Sequence, residues 1–166
     1  MKSLIQCNRR ILALLIASVL VCVGLSPKAR AVIPPPDGGY PGGSTAEGQE
    51  ALLSLTTGVQ NTAVGFLSLK TDTTGSYNTA IGSGTLRWNN ADGNTATGTF
   101  ALLNNTNGFL NTANGALALF SNTIGIGNTA VGYYALFSNI RGGGNTAFGC
   151  GALEGNTGSS NTAIGV

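Results

Sequence analysis

The chain has three cysteines and no histidine, so no cysteine can be paired with an imidazole for nucleophilic catalysis. Cys150 stands at a variable point of a repeated pattern and reads as incidental. The carboxylates Glu47, Asp72, Asp92 and Glu154 are scattered, whereas acid–base chemistry needs paired groups within hydrogen-bonding reach. Gly82-Ser83-Gly84 and Gly125-Ile126-Gly127 begin like phosphate-binding loops. Neither completes G-x-G-x-x-G or is followed by lysine, so both read as turns. No regular Asp supports a calcium-binding repeat. The expectation is a chain that is not an enzyme and carries no cofactor and no metal. The side chains best suited to specific contact are those that break the pattern: Arg87, Trp88, Tyr133, Tyr134 and Arg141. They form the candidate binding surface.

These residues are positioned by a repeat. The stretch Asn128-Thr129-Ala130-Val131-Gly132 recurs from Asn61, Asn78, Asn94, Asn111, Asn145 and Asn161, with a degenerate copy from Ser44. Successive copies start 16 or 17 residues apart, and fixed-period self-similarity marks a stacked architecture. Counting from Asn128, the pattern is N-T-A-x-G-x-x-A-L-x-x-N-T-x-G-x-x. Its structural residues are Ala63, Gly65 and Leu69; Ala80, Gly82 and Leu86; Ala96, Gly98 and Leu102; Ala113, Gly115 and Leu119; Ala130, Gly132 and Leu136; Ala147, Gly149 and Leu153.

Helical repeats fit poorly, because Asn, Thr and Gly interrupt the chain every seven residues or so. The pattern predicts an all-β, parallel β-solenoid or β-roll of about seven coils. Two short strands per coil are expected, one around Thr-Ala-x-Gly and one around Ala-Leu. Turns are expected at the Asn and Gly sites, where Gly supplies positive φ and Asn tolerates it. Alternate strand residues share a face. Ala130 and Gly132 are therefore expected to face the inside of a narrow coil, opposite Leu136. Val64, Ile81, Val131, Phe148 and Ile164, at the fourth position, are expected to face outward.

Residues 1–31 read as a signal peptide: a basic start (Lys2, Arg9, Arg10), an apolar run from Ile11 to Leu25, and Ala29-Arg30-Ala31 as a cleavage site. The run is short for a membrane span of about 20 residues. An exported, extracellular or bacterial cell-surface location follows, with membrane attachment only through this segment or an anchor elsewhere. Residues 32–43 form a Pro/Gly-rich linker, and residues 44–166 hold the repeats, the last copy incomplete. Beyond Ala31 the chain carries three basic and six acidic residues, so it offers no basic stripe for nucleic acid.

The repeats resemble the head repeats of trimeric autotransporter adhesins of the YadA-like type. The resemblance is carried by Asn-Thr-Ala-Ile-Gly at Asn78 and Asn161 and Asn-Thr-Ala-Val-Gly at Asn61 and Asn128. The repeats are also similar to those of phage tail fibres. The resemblance implies a left-handed parallel β-roll in which three chains pack side by side, hence a homotrimer. The period here is longer than in that family, and no heptad stalk or β-barrel anchor follows. The functional expectation is an exported, non-enzymatic head or shaft segment of a cell-surface adhesin or fibre. It would bind a host or environmental surface ligand by a repetitive face. A structural spacer is the alternative. An ice-binding solenoid is less favoured, because only Thr95-Ala96-Thr97 supplies a double threonine.

Overall fold

A computed structural model describes residues 42–165, and everything structural below concerns those residues. The expected signal peptide, and the expected linker apart from Gly42 and Gly43, lie outside them.

Thr is β-branched and favours extended backbone. Each Thr-Ala-x triplet forms a strand of three residues, and eight of them recur along the chain: β1 Thr45–Glu47, β2 Thr62–Val64, β3 Thr79–Ile81, β4 Thr95–Thr97, β5 Thr112–Asn114, β6 Thr129–Val131, β7 Thr146–Phe148 and β8 Thr162–Ile164. They form one parallel sheet whose spatial order is the sequence order. Thr pairs with Thr and Ala with Ala at every step, as in Thr129↔Thr146 and Ala130↔Ala147. Each 16–17-residue period is one coil, so the chain is a parallel β-solenoid of about seven coils.

The side chains inside the coil are small and repeated. The third-position alanines of β1 to β7 are 0–1% exposed, and the ninth-position column from Leu52 to Leu136 is equally buried. Between them stand the eighth-position Ala51, Ser68, Thr85, Ala101, Ala118 and Ala135, also buried. The residues at the second and fourth repeat positions, which flank Ala in each strand, lie outside, half-buried or exposed.

Only one strand forms per coil, which corrects the expectation of a second around Ala-Leu. The physical reason is in the backbone. The seventh-position residues have φ of 59–68° and the ninth-position leucines φ of 49–55°. Left-handed residues two apart curl the chain and prevent an extended run. The seventh, ninth and last positions of the repeat together supply sixteen non-glycine residues at positive φ. Such a residue costs roughly 1–2 kcal/mol, so something must hold it there. Hydrogen bonds between coils do. The N–H of Leu69 donates to Thr85 O at 3.1 Å, that of Leu67 to Gln49 O at 3.0 Å and that of Tyr77 to Val59 O at 3.0 Å.

The turn chemistry is also redistributed. Fifth-position glycines do adopt positive φ, 111–141°. They follow the strand and are half-buried rather than sharing the inward face of Ala. The glycines near the fifteenth position, such as Gly75 and Gly125, are not in the left-handed region. They are small because the next coil is close: a Cβ on Gly75 would lie 2.8 Å from Ala91 O. The asparagines are not turn residues at positive φ either, and most are buried.

Two substitutions separate backbone strain from core packing. Gln60 is exposed with φ 55°, and its N–H bond to Gly42 O does not involve the side chain. Gln60→Gly is expected to stabilise by about 0.5–1 kcal/mol. Leu102→Gly relieves the same conformation, φ 51°, but empties a fully buried site. It is expected to destabilise by about 2–5 kcal/mol. Urea denaturation of both variants checks the pair.

Candidate binding surface

What fixes the outer side chains is a buried polar lattice. The first-position asparagines 61, 78, 94, 111, 128 and 145 are 0–1% exposed. Each backbone N–H from Asn78 to Asn161 donates to the Oδ1 of the preceding coil's asparagine, at 2.9–3.1 Å. The Nδ2 groups donate to a carbonyl about fourteen residues on, as Asn111 Nδ2 to Gly125 O at 2.8 Å. Ser44 Oγ takes the same role for Asn61 N at 3.0 Å. A second ladder runs through the twelfth position. Asn105 Nδ2 donates to Asn89 Oδ1 at 2.7 Å, Asn122 to Asn105 at 2.8 Å and Asn139 to Asn122 at 3.0 Å. An unpaired buried amide costs about 1–3 kcal/mol, so both ladders penalise any slip in register.

The twelfth-position ladder ends at Asp72, which is fully buried. The coil before it has Leu55 at this position, which offers no acceptor. A carboxylate needs none. Asp72 instead accepts the N–H of Gly75 at 2.8 Å and Nδ2 of Asn78 at 3.3 Å. Burial pushes its pKa from 3.8 to about 6; the bonds from Gly75, Asn89 and Asn78 pull it down, and the charge of Asp92 adds to the rise.

Three outer faces result. The strand face carries the Thr column beside the fourth-position column. Val64, Ile81, Phe148 and Ile164 are 37–82% exposed there, with Thr97 and Asn114 interrupting the apolar run. A corner carries the seventh and tenth positions. Tyr134 stacks on Phe137 with centroids 4.6 Å apart, and Phe137 on Phe120 at 5.1 Å. Phe100 lies over Gly84, where an added Cβ would meet its ring at 2.6 Å. Glu50 and Lys70 bridge two coils at 2.6 Å on the same corner. The third side holds exposed apolar residues near the coil closure, Tyr77, Phe109, Leu110 and Ile126. A surface depression of about 420 Å³ opens there, lined by Thr74, Asn90, Ala91, Asp92 and Phe109.

The residues singled out from sequence fall on different parts of this surface. Arg87 lies over the Trp88 ring, 4.7 Å from its centroid, and its Nε has no hydrogen-bond partner. Tyr133 packs beside Tyr134, centroids 4.4 Å apart, and the hydrogen bond to Tyr134 raises its pKa. Arg141 is exposed near the closure. The five do not form one site. Sequence reasoning missed the seventh- and tenth-position corner, because those positions vary in residue type. The signal available was that Phe100, Leu103, Leu117, Phe120, Tyr134 and Phe137 are all apolar at two fixed offsets.

Asp72 gives a pH prediction. Its folded pKa lies above its unfolded value, so the fold binds the proton more tightly. Stability from this group is full below about pH 4 and is lost as pH rises through about 6. Asp72→Asn is expected to flatten the slope between pH 4 and 6. At pH 7 it removes a charge penalty of up to about 3 kcal/mol but leaves an amide donor for which Leu55 offers no acceptor, at about 1–3 kcal/mol, so the net change there is small. Denaturation curves at pH 4, 5, 6 and 7 test it; a slope between pH 4 and 6 as steep as the parent's would overturn it.

No protein family, curated protein or solved structure matches the chain.

Proposed function

We propose that this chain is an exported, non-enzymatic rod, a head or shaft segment of a cell-surface adhesin or fibre, that binds by a repetitive surface. The observation that carries the reading is the unbroken side-chain register. Thr meets Thr and the fourth-position residue meets its counterpart at all seven strand pairings. Seven steps of about 4.8 Å make a rod of about 35 Å whose outer columns repeat at that pitch. Contacts too weak to act singly multiply when a partner engages several coils at once. The homotrimer implied by the resemblance would place the fourth-position column at the subunit contact, although Thr97 and Asn114 interrupt it. Apart from Thr97, the fourth-position residues are not threonine, which leaves the strand face without the second threonine column that ice binding requires.

Deleting whole coils in register tests the reading. Deletion of residues 111–127, and then 111–144, shortens the rod by one and two coils. Residence times are read on glycan arrays and on extracellular-matrix coatings. The expected result is a stepwise loss, several-fold per coil. Loss of all binding with the first coil would indicate a single site. No retention by any surface would favour the spacer.

A further inference from the structure

We infer that two copies of this chain associate antiparallel through the corner formed by the seventh and tenth positions, about a two-fold axis at the coil that begins at Asn111. The tenth-position column reads Arg87, Leu103, Phe120, Phe137, Glu154 over five successive coils. The seventh-position column over the same coils reads Gly84, Phe100, Leu117, Tyr134, Gly151. Both are palindromic in chemistry. An isologous two-fold interface requires just such self-complementarity, since residue i of one copy meets residue j of the other and j meets i.

A two-fold axis lying across the rod keeps each column facing its own counterpart and reverses the coil order. Phe120 then meets Phe120 and Leu117 meets Leu117 at the centre. Leu103 meets Phe137, and Phe100 meets Tyr134. At the two ends Arg87 meets Glu154, and Gly84 and Gly151 leave room beside them. The charges are therefore complementary twice over. Placing the chains parallel sets the two columns of one coil against each other and brings Arg87 opposite Gly84, with no charge pairing.

The side chains are placed for this. Leu103, Leu117, Phe120, Tyr134 and Phe137 are half-buried by packing along the corner, and Phe100 is 40% exposed. Stacking of Tyr134 on Phe137 and of Phe137 on Phe120 makes one continuous ridge. Glu154 is exposed and lies near Gly151, where an added Cβ would be 3.6 Å from its Oε2. Arg87 is half-buried, its guanidinium lying over the Trp88 ring, and it makes no ion pair within its own chain among the described residues. The strand face has no comparable continuity, because Thr97 and Asn114 divide its apolar column at mid-rod. The ridge spans about 20 Å, four coil steps of about 4.8 Å. That places the contact at the low end of interface sizes and makes the dimer weak and concentration-dependent.

The test uses the full chain with Cys7, Cys22 and Cys150 replaced by Ser. Light scattering is expected to move from one chain to two as concentration rises. Arg87→Glu is expected to weaken association about tenfold or more, and Arg87→Glu combined with Glu154→Arg to restore it. Circular dichroism of each variant establishes that the fold is kept. In a mixture of R87C and E154C chains, oxidation is expected to join one of each, while neither variant alone is joined. In a parallel pair or an in-register trimer those two positions stand about 19 Å apart and stay unlinked. A mass of one chain at all concentrations, a mass of three chains, or two chains without the mixed cross-link would overturn the proposal.

Discussion

The fold depends on a single constraint: a buried side-chain oxygen at the head of each coil that finds its N–H donor only on the next coil in the right register. The first-position asparagine accepts the next coil's backbone N–H at its Oδ1 and donates its Nδ2 to the carbonyl of Gly75, Ala91, Gly108, Gly125, Gly142 or Gly158. Slipping by one residue would strand these groups inside a dry interior. Hydrophobic burial alone would not specify register so sharply, because alanine and leucine columns tolerate small displacements that hydrogen bonds do not. The lattice thus does for this thin core what shape complementarity does for a thick one.

That rigidity makes the strained backbone possible. Seven leucines hold φ near 50°, a conformation they would not adopt in isolation. Six of them, from Leu52 to Leu136, have their N–H groups bonded to the adjacent coil and side chains with no other apolar place to go; Leu153, in the last full coil, is held by its packing against the core. Glycine would remove the strain and the core together. The glycine that does occur serves two different needs. At the fifth position it provides a positive φ, and near the fifteenth it allows one coil to approach the next. Two sites that look alike in the repeat have different physical causes.

The same lattice decides what the outer surface can do. Every coil presents its variable positions at one pitch, so any residue type placed at a given offset becomes a column. Where successive coils carry aromatic or aliphatic residues, as from Phe100 to Phe137, a ridge appears. Where one coil is a residue shorter, as between Asn78 and Asn94, the surface sinks between Thr74 and Phe109. Asp72 shows the cost of departing from the pattern inside. A carboxyl in an asparagine position ends the ladder without a stranded donor, but its charge is held in a buried site and its proton is kept to higher pH.

The period of 16–17 residues, the parallel coil and the inward Ala and Leu were all legible in the residues, because a column of identical side chains can only arise from stacking in register. Elsewhere conformation, not residue type, carries the information. Leu69 and Leu86 look like strand residues, since nothing in a leucine announces positive φ. The asparagines look like turn residues, since a free Asn favours turns and tolerates left-handed backbone. Only the tertiary structure shows that they are buried, because burial of an amide becomes favourable once the next coil supplies its partners. The outer ridge was hidden for a related reason. Phe100, Phe120 and Phe137 are distant in sequence, and it is the coil pitch that sets two of them ring to ring.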